Sequence, residues 1–231
     1  MIILVNYKIA KQLSEFVDDK VIALPPYSNL DSPVNSHADM LVSVLDNTIF
    51  IYKDYYEQNR EVFDSIKKYN IIPCEHKCKR DYPNDIGLNV LIMGKKIFCN
   101  SKFVAGELLE YAKNNNYKII DVKQGYSCCS TLAINENHAI TSDIGMYKSL
   151  VHENISTLLI TNNGISLEGY NCGFIGGSGG ILNNSVIFFG NIKKHIDFPK
   201  IEQLIKGNDM AILSIFPDGV SDFGGFKVLE C

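Results

Sequence analysis

Proline-rich linkers, blocks of like charge, low-complexity tails and long pure apolar runs are all missing from this 231-residue sequence. Without such breaks, nothing divides the chain, and it reads as one domain over 1–231. The opening Met1-Ile2-Ile3-Leu4-Val5-Asn6 has no basic leader, and its apolar run is too short for a signal peptide. One uncharged stretch, the 24 residues from Gly169 to Ile192, is long enough to cross a bilayer. Its seven glycines, four asparagines and scattered apolar residues read instead as two turns and two buried strands. An excess of positive charge is also lacking. The net charge is −4, so no electrostatic case for nucleic acid exists. The seven cysteines are an odd number and cannot all pair within the chain. With no export leader, free thiols in a reducing cytoplasm are the simple reading.

What remains is an ordinary globular balance, 46% hydrophobic and 21% charged, in a chain long enough to bury a sizeable core. Four segments read as β-hairpins, each a β-prone run, a tight polar turn and a second run. They are Leu41–Val44 with Ile49–Ile51, Val90–Ile92 with Ile97–Phe98, Thr131–Ile134 with Ala139–Ile140, and Ile181–Leu182 with Val186–Phe189. Their turns fall at Asn47, Gly94, Glu136 and Asn183, in steps of 47, 42 and 47 residues. A helix-like stretch and another strand follow each hairpin: Asp54–Tyr69 then Ile71-Ile72, Lys102–Asn115 then Lys118–Val122, Gly145–His152 then Thr157–Ile160, and Pro199–Lys206 then Ala211–Leu213. The N-terminus supplies strand Ile2–Val5, helix Lys8–Val17 and strand Val21–Leu24, a unit short of its first strand. The C-terminal Gly225–Leu229 offers that strand. The pattern is α/β, with five ββαβ modules closed into a ring by the two termini. The modules run 1–36 plus 221–231, 37–84, 85–126, 127–172 and 173–220.

Five such modules about a pseudo-fivefold axis resemble the pentein fold of guanidino-group-modifying enzymes, a five-bladed α/β propeller. Four strings are similar to those of a small bacterial family of uncharacterised chemistry with that fold: His37-Ala38-Asp39-Met40, Tyr82–Asn89, Lys123–Ser130 and Gly173–Gly180. The resemblance implies either a hydrolase or transferase of a guanidino or amidino small molecule, or a ring-shaped protein without catalysis that binds a small polar ligand or a macromolecule. It implies no cofactor.

Each string opens a module, and in a ring such positions share one centre. A thiol nucleophile needs its proton removed or its thiolate stabilised, which a nearby histidine can do, and a guanidinium needs carboxylates to accept its N–H groups. Cys129, or its neighbour Cys128, with His37 and Asp39 are the catalytic candidates. Asp85, Asn89, Lys123, Gln124, Cys128, Gly176, Gly177, Ser178 and Asp222 are the candidates for holding substrate. Catalytic penteins resemble one another in carrying the nucleophile in the last module and the histidine in a middle one. Here the last module ends on Cys231, and the middle one has Cys128-Cys129. Packing roles stay open beside these: buried cysteines, a turn-capping His37, Asp39 and Asp85 accepting backbone N–H groups, and a solvated Lys123-Gln124. The glycine string lacks a Walker lysine and precedes strands, so it reads as close backbone approach or exposed N–H groups for an anion. Cys74-Glu75-His76-Lys77-Cys78 lacks a second ligand pair and reads as an exposed loop without a metal. Cys99, Cys172, His138, His152 and His195 have no partner that the sequence identifies.

Overall fold

Hydrophobic hairpins followed by short amphipathic helices give the chain a repeating layout. The computed structural model describes residues 1–66 and 68–230. The chain begins with β1 (Ile2–Asn6), α1 (Tyr7–Phe16) and β2 (Lys20–Leu24). A helical turn α2 (Ala38–Leu41) leads into β3 (Val42–Leu45), β4 (Thr48–Tyr52), α3 (Lys53–Gln58), α4 (Arg60–Asp64) and β5 (Asn70–Cys74). Next come β6 (Leu91–Met93), β7 (Lys96–Cys99), α5 (Gly106–Asn114) and β8 (Lys118–Asp121). They are followed by β9 (Thr131–Ala133), β10 (His138–Thr141), α6 (Ile144–His152), β11 (Ser156–Leu159) and β12 (Ile165–Ser166). The chain continues through β13 (Gly179–Leu182), β14 (Ser185–Phe188), α7 (Phe198–Gly207), β15 (Ala211–Ser214), β16 (Val220–Ser221) and β17 (Phe226–Leu229).

The strands form three-stranded sheets in the orders β3-β4-β5, β6-β7-β8, β9-β10-β11, β13-β14-β15 and β17-β1-β2. In each, the middle strand pairs antiparallel with the first and parallel with the third. A tight turn makes the antiparallel pair, and a helix makes the crossover that a parallel pair requires. The chain ends share a sheet, with Ile3 opposite Val228 and Leu4 opposite Lys227. The first strands adjoin: β17 touches β3 and β13, and β9 touches β6 and β13.

The repeat extends to backbone detail. Asp46, Gly94 and Asn183 each open a hairpin turn at positive φ, the conformation a two-residue turn demands. Asn116, Asn154 and Asp209 each lie two residues past a helix end in the left-handed region, where short polar side chains substitute for glycine. Four helices bury an i,i+4 pair against their sheets: Ile9 and Leu13, Leu108 and Ala112, Met146 and Leu150, Ile201 and Ile205.

The sequence expectations need four corrections. The helix expected over Asp54–Tyr69 is broken at Asn59, whose Nδ2 donates to the Tyr55 carbonyl at 2.9 Å and takes a bond the helix would use. The helix expected from Lys102 begins at Gly106, because Phe103 N donates to Asn100 O and Ala105 N to Gly87 O, holding the segment as a turn. Leu41 lies in α2 rather than in a strand, since Asp39 N donates to Gly224 O at 3.1 Å and bends the entry to β3. The two-stranded parallel ladder of β12 and β16 was too short to register as a periodic signal. Cys231 lies outside the described residues.

The Gly169–Ile192 stretch forms turns and the strands β13 and β14, and no helix among the described residues is long and apolar enough to cross a membrane. Leu4 is fully buried on the central strand of the sheet that joins the two chain ends. Leu4→Ala is expected to cost about 2–5 kcal/mol, read as a lowered urea midpoint. An unchanged midpoint would mean that this sheet does not contribute to global stability.

Candidate active site

A cavity of about 570 Å³ is lined by all five first strands, through residues such as Val44, Leu91, Thr131, Gly180 and Lys227. Three groups with chemistry reach it: Asp39 from α2, Cys128 from the turn before β9, and Lys227 from β17. None of its lining residues is a histidine.

Asp39 is 2% exposed, and both its carboxylate oxygens are buried without a hydrogen-bond partner among the described residues. A carboxylate held out of water with nothing donating to it is costly, and it is a ready acceptor for an N–H-rich cation. Lys227 Nζ donates to Cys128 Sγ at 3.0 Å. Both residues are half-buried, so a molecule in the cavity can touch them. Burial pushes the Cys128 thiol up, the Lys227 ammonium pulls it back, and Asp39 pushes it up again. Burial works against the Lys227 charge, yet Cys128 and Asp39 hold its pKa above the usual lysine value.

The turn that carries Cys128 is anchored from two sides. Asn89 Oδ1 accepts from Cys128 N at 2.9 Å and from Cys129 N at 3.4 Å. Its Nδ2 donates to Asp39 O at 3.0 Å and to Cys129 Sγ at 2.9 Å. On the other side, Gly176 presses so close that a Cβ there would stand 2.2 Å from the Cys128 carbonyl oxygen. Its N–H donates to Cys129 O at 2.8 Å. The glycine string therefore serves close approach of two backbones.

The candidates drawn from the sequence do not all converge. Asp39, Cys128 and Gly176 line the central cavity. His37 and Asp222 line a second cavity of about 330 Å³ with Lys8 and Glu168. His37 Nδ1 stands 3.6 Å from Asp222 Oδ1, beyond hydrogen-bond reach. Asp222 instead accepts from Phe174 N at 2.8 Å and Gly224 N at 2.9 Å. Burial and the nearby Asp39 carboxylate raise its pKa.

The expected pairing of Cys129 with His37 is replaced by other contacts. The Cys129 thiol is buried against Asn89 and Met40, and burial, Asp39 and Asp222 push its pKa well above the ordinary value. Asn89 is fully buried and holds the cysteine turn rather than facing a ligand. Ser178 is fully buried, its hydroxyl donating to Ile175 O at 2.7 Å, and Gly177 is packed against the Asp222 carboxylate. Asp85 accepts from Tyr126 OH at 2.6 Å and keeps one buried oxygen without a partner among the described residues, outside the central cavity. Burial raises its pKa. Gln124 bonds Asp143 at 2.7 Å, and with the exposed Lys123 it lines a separate surface hollow. Those two were the start of the Cys128 string, but the chain turns inward only after Gly125.

Cys74 and Cys78 are buried rather than in an exposed loop, and burial pushes both thiols up to about 12. All six described cysteines are free. Among the described residues, no cluster of three histidine, cysteine or carboxylate side chains could hold a metal. The sequence reading passed over Lys227, taking its segment only as a closing strand. The available signal was a single cation in an otherwise apolar inner strand.

Burial holds the His37 pKa down at about 4, with Asp39 opposing the shift. The unfolded chain, with its histidine near 6.5, binds this proton more readily. The neutral imidazole therefore stabilises the fold above about 6.5, and that contribution is lost as pH falls toward 4. The His37 imidazole is expected to titrate by NMR near pH 4. A midpoint near 6.5 would mean that the ring is solvated.

The model of a family of unknown function, DUF6873, matches residues 4–226. A comparison with curated proteins finds no match. Among solved structures, the DDAH of Pseudomonas aeruginosa, as a mutant complexed with citrulline, superposes with a TM-score of 0.56 at 9% identity, covering 92% of this chain and 91% of that one. The agmatine deiminase of C. jejuni gives 0.56 at 11% identity, covering 93% and 87%. SxtG, an amidinotransferase from Microseira wollei, gives 0.55 at 12% identity, covering 96% and 80%. At such identities the likeness is one of fold, the mixed α/β pentein fold.

Proposed function

This chain belongs to the DUF6873 family, and we propose that it is a five-bladed pentein-type enzyme that uses the Cys128 thiol on a guanidino or amidino compound bound by Asp39. The whole chain forms one unit in this reading, with the modules about one axis and the central cavity as the reaction chamber.

One observation carries the reading: the Asp39 carboxylate, buried with neither oxygen satisfied among the described residues, in the same cavity as the half-buried Cys128. A guanidinium or amidinium presents two parallel N–H groups to a carboxylate and brings the compensating positive charge. Its central carbon is the electrophile that a thiol requires. The fold neighbours point the same way. Their names are those of a hydrolase, a deiminase and an amidinotransferase, and one carries citrulline.

Charge accounts for the choice of nucleophile. Burial, Asp39 and Asp222 all oppose a Cys129 thiolate and hold its pKa well above the ordinary value. Cys128 lies against Lys227 instead. Burial still holds the Cys128 thiol above its ordinary pKa. A bound cation at Asp39 would offset the carboxylate that contributes to this and lower the thiol pKa. Whether water or an amine takes up the amidino carbon decides between hydrolase and transferase, and the cavity admits either.

Turnover of a panel of guanidino and amidino compounds, followed as ammonia or amine released, tests the reading. Cys128→Ser is expected to remove activity by roughly 1000-fold or more, while Cys129→Ala keeps most of it. The reverse order would sink the assignment. Asp39→Asn is expected to abolish binding of the cation and to raise folding stability by roughly 1–3 kcal/mol, because it removes an unpaired buried charge. A destabilised Asp39→Asn variant would show that the carboxylate is satisfied within the fold.

A further inference from the structure

We propose that Lys227 is the acid–base partner of Cys128, standing where a thiol enzyme would ordinarily carry a histidine; this rests on the reading of the central cavity as the reaction chamber. Three observations meet on it. Lys227 Nζ lies 3.0 Å from Cys128 Sγ, within reach for proton exchange. Both side chains line the central cavity, and no histidine does. The nearest histidine of the module openings, His37, opens onto the second cavity and faces Asp222. A half-buried lysine directed at a sulfur across the centre is also expensive to order, and no carboxylate takes its ammonium in a direct ion pair among the described residues.

The chemistry closes with this one residue. The reactive pair is Cys128 thiolate with Lys227 ammonium. The thiolate adds to the carbon of a guanidinium, forming a C–S bond and a neutral tetrahedral adduct. The departing nitrogen takes a proton from Lys227 as its C–N bond breaks, leaving a cationic thiouronium on Cys128. The neutral Lys227 amine then removes a proton from water as the oxygen adds to carbon. The C–S bond breaks with its electrons returning to sulfur, and the protonated urea passes its proton to the released ammonia or amine. The sum is guanidinium plus water giving a urea and an ammonium ion, with thiolate and ammonium restored. The neighbouring Asp39 faces both groups and keeps the lysine charged until the transfer.

The test is the alkylation of Cys128 by iodoacetamide in the full chain, followed by peptide mass spectrometry from about pH 6 to 11. It needs no substrate. Lys227→Met is expected to slow alkylation about tenfold or more at neutral pH and to move the midpoint upward by about one unit. Lys227→Arg is expected to restore much of the alkylation rate, since a guanidinium also stabilises a thiolate. It should still fail to turn over any compound that the wild type processes, since arginine does not give up its proton. A Lys227→Met profile that superimposes on the wild type would overturn the pairing, and a Lys227→Arg variant with wild-type turnover would overturn the proton transfer. Should Lys227→Met not fold, the Lys227→Arg split between alkylation and turnover decides. If alkylation depends on Lys227 while no guanidino compound is processed, the substrate reading fails and the thiol–ammonium pair stands.

Discussion

The antiparallel pairing of β17 with β1 ties the end of the chain to its beginning, and the centre of the molecule is arranged around it. Without that pairing, β1 and β2 would leave one edge of backbone N–H and C=O groups unpaired. With it, Lys227 is carried to Cys128, Gly224 O receives the Asp39 amide, and Glu230 O receives the Tyr69 hydroxyl. Residues more than a hundred positions apart thereby share one cavity.

Close packing of backbone carries the rest. Gly176 against the Cys128 turn, and Gly224 against His37, are approaches where a side chain would collide at about 2.2 Å. Gly224 also stands at φ 80°, a conformation that other residues adopt only under strain. Burial at these contacts, with the aspartates brought close together, raises the Asp222 pKa and pushes the Cys129 thiol well above its ordinary value. Cysteines adjacent in sequence thus diverge in character. One is locked in a polar cage of Asn89, and the other is open to the cavity beside a cation. The Asp39 carboxylate stays buried without a hydrogen-bond partner among the described residues, at a cost to stability.

Much of the architecture was readable from local physics. The hairpin turns, the apolar runs around them and the i,i+4 pairs of the helices each follow from contacts within a few residues, so their spacing exposed the repeat. The boundaries moved where a tertiary bond overrode propensity, at Asn59, at the Gly106 helix start and at the α2 turn. The candidate site was legible only as a neighbourhood. Asp39 and Cys128 were recognisable because each opens a module, but so do His37, Asp85 and Asp222, and module position does not say which way a side chain turns.

From the residues alone came the α/β repeat and the closing role of the last strand, because each depends on periodicity and turn chemistry within one module. Which thiol is accessible, which carboxylate lacks a partner, and that Lys227 rather than His37 meets sulfur were settled only by the packing of modules against one another. Those facts depend on distances of about 3 Å between segments distant in sequence, and local propensity carries no record of such distances.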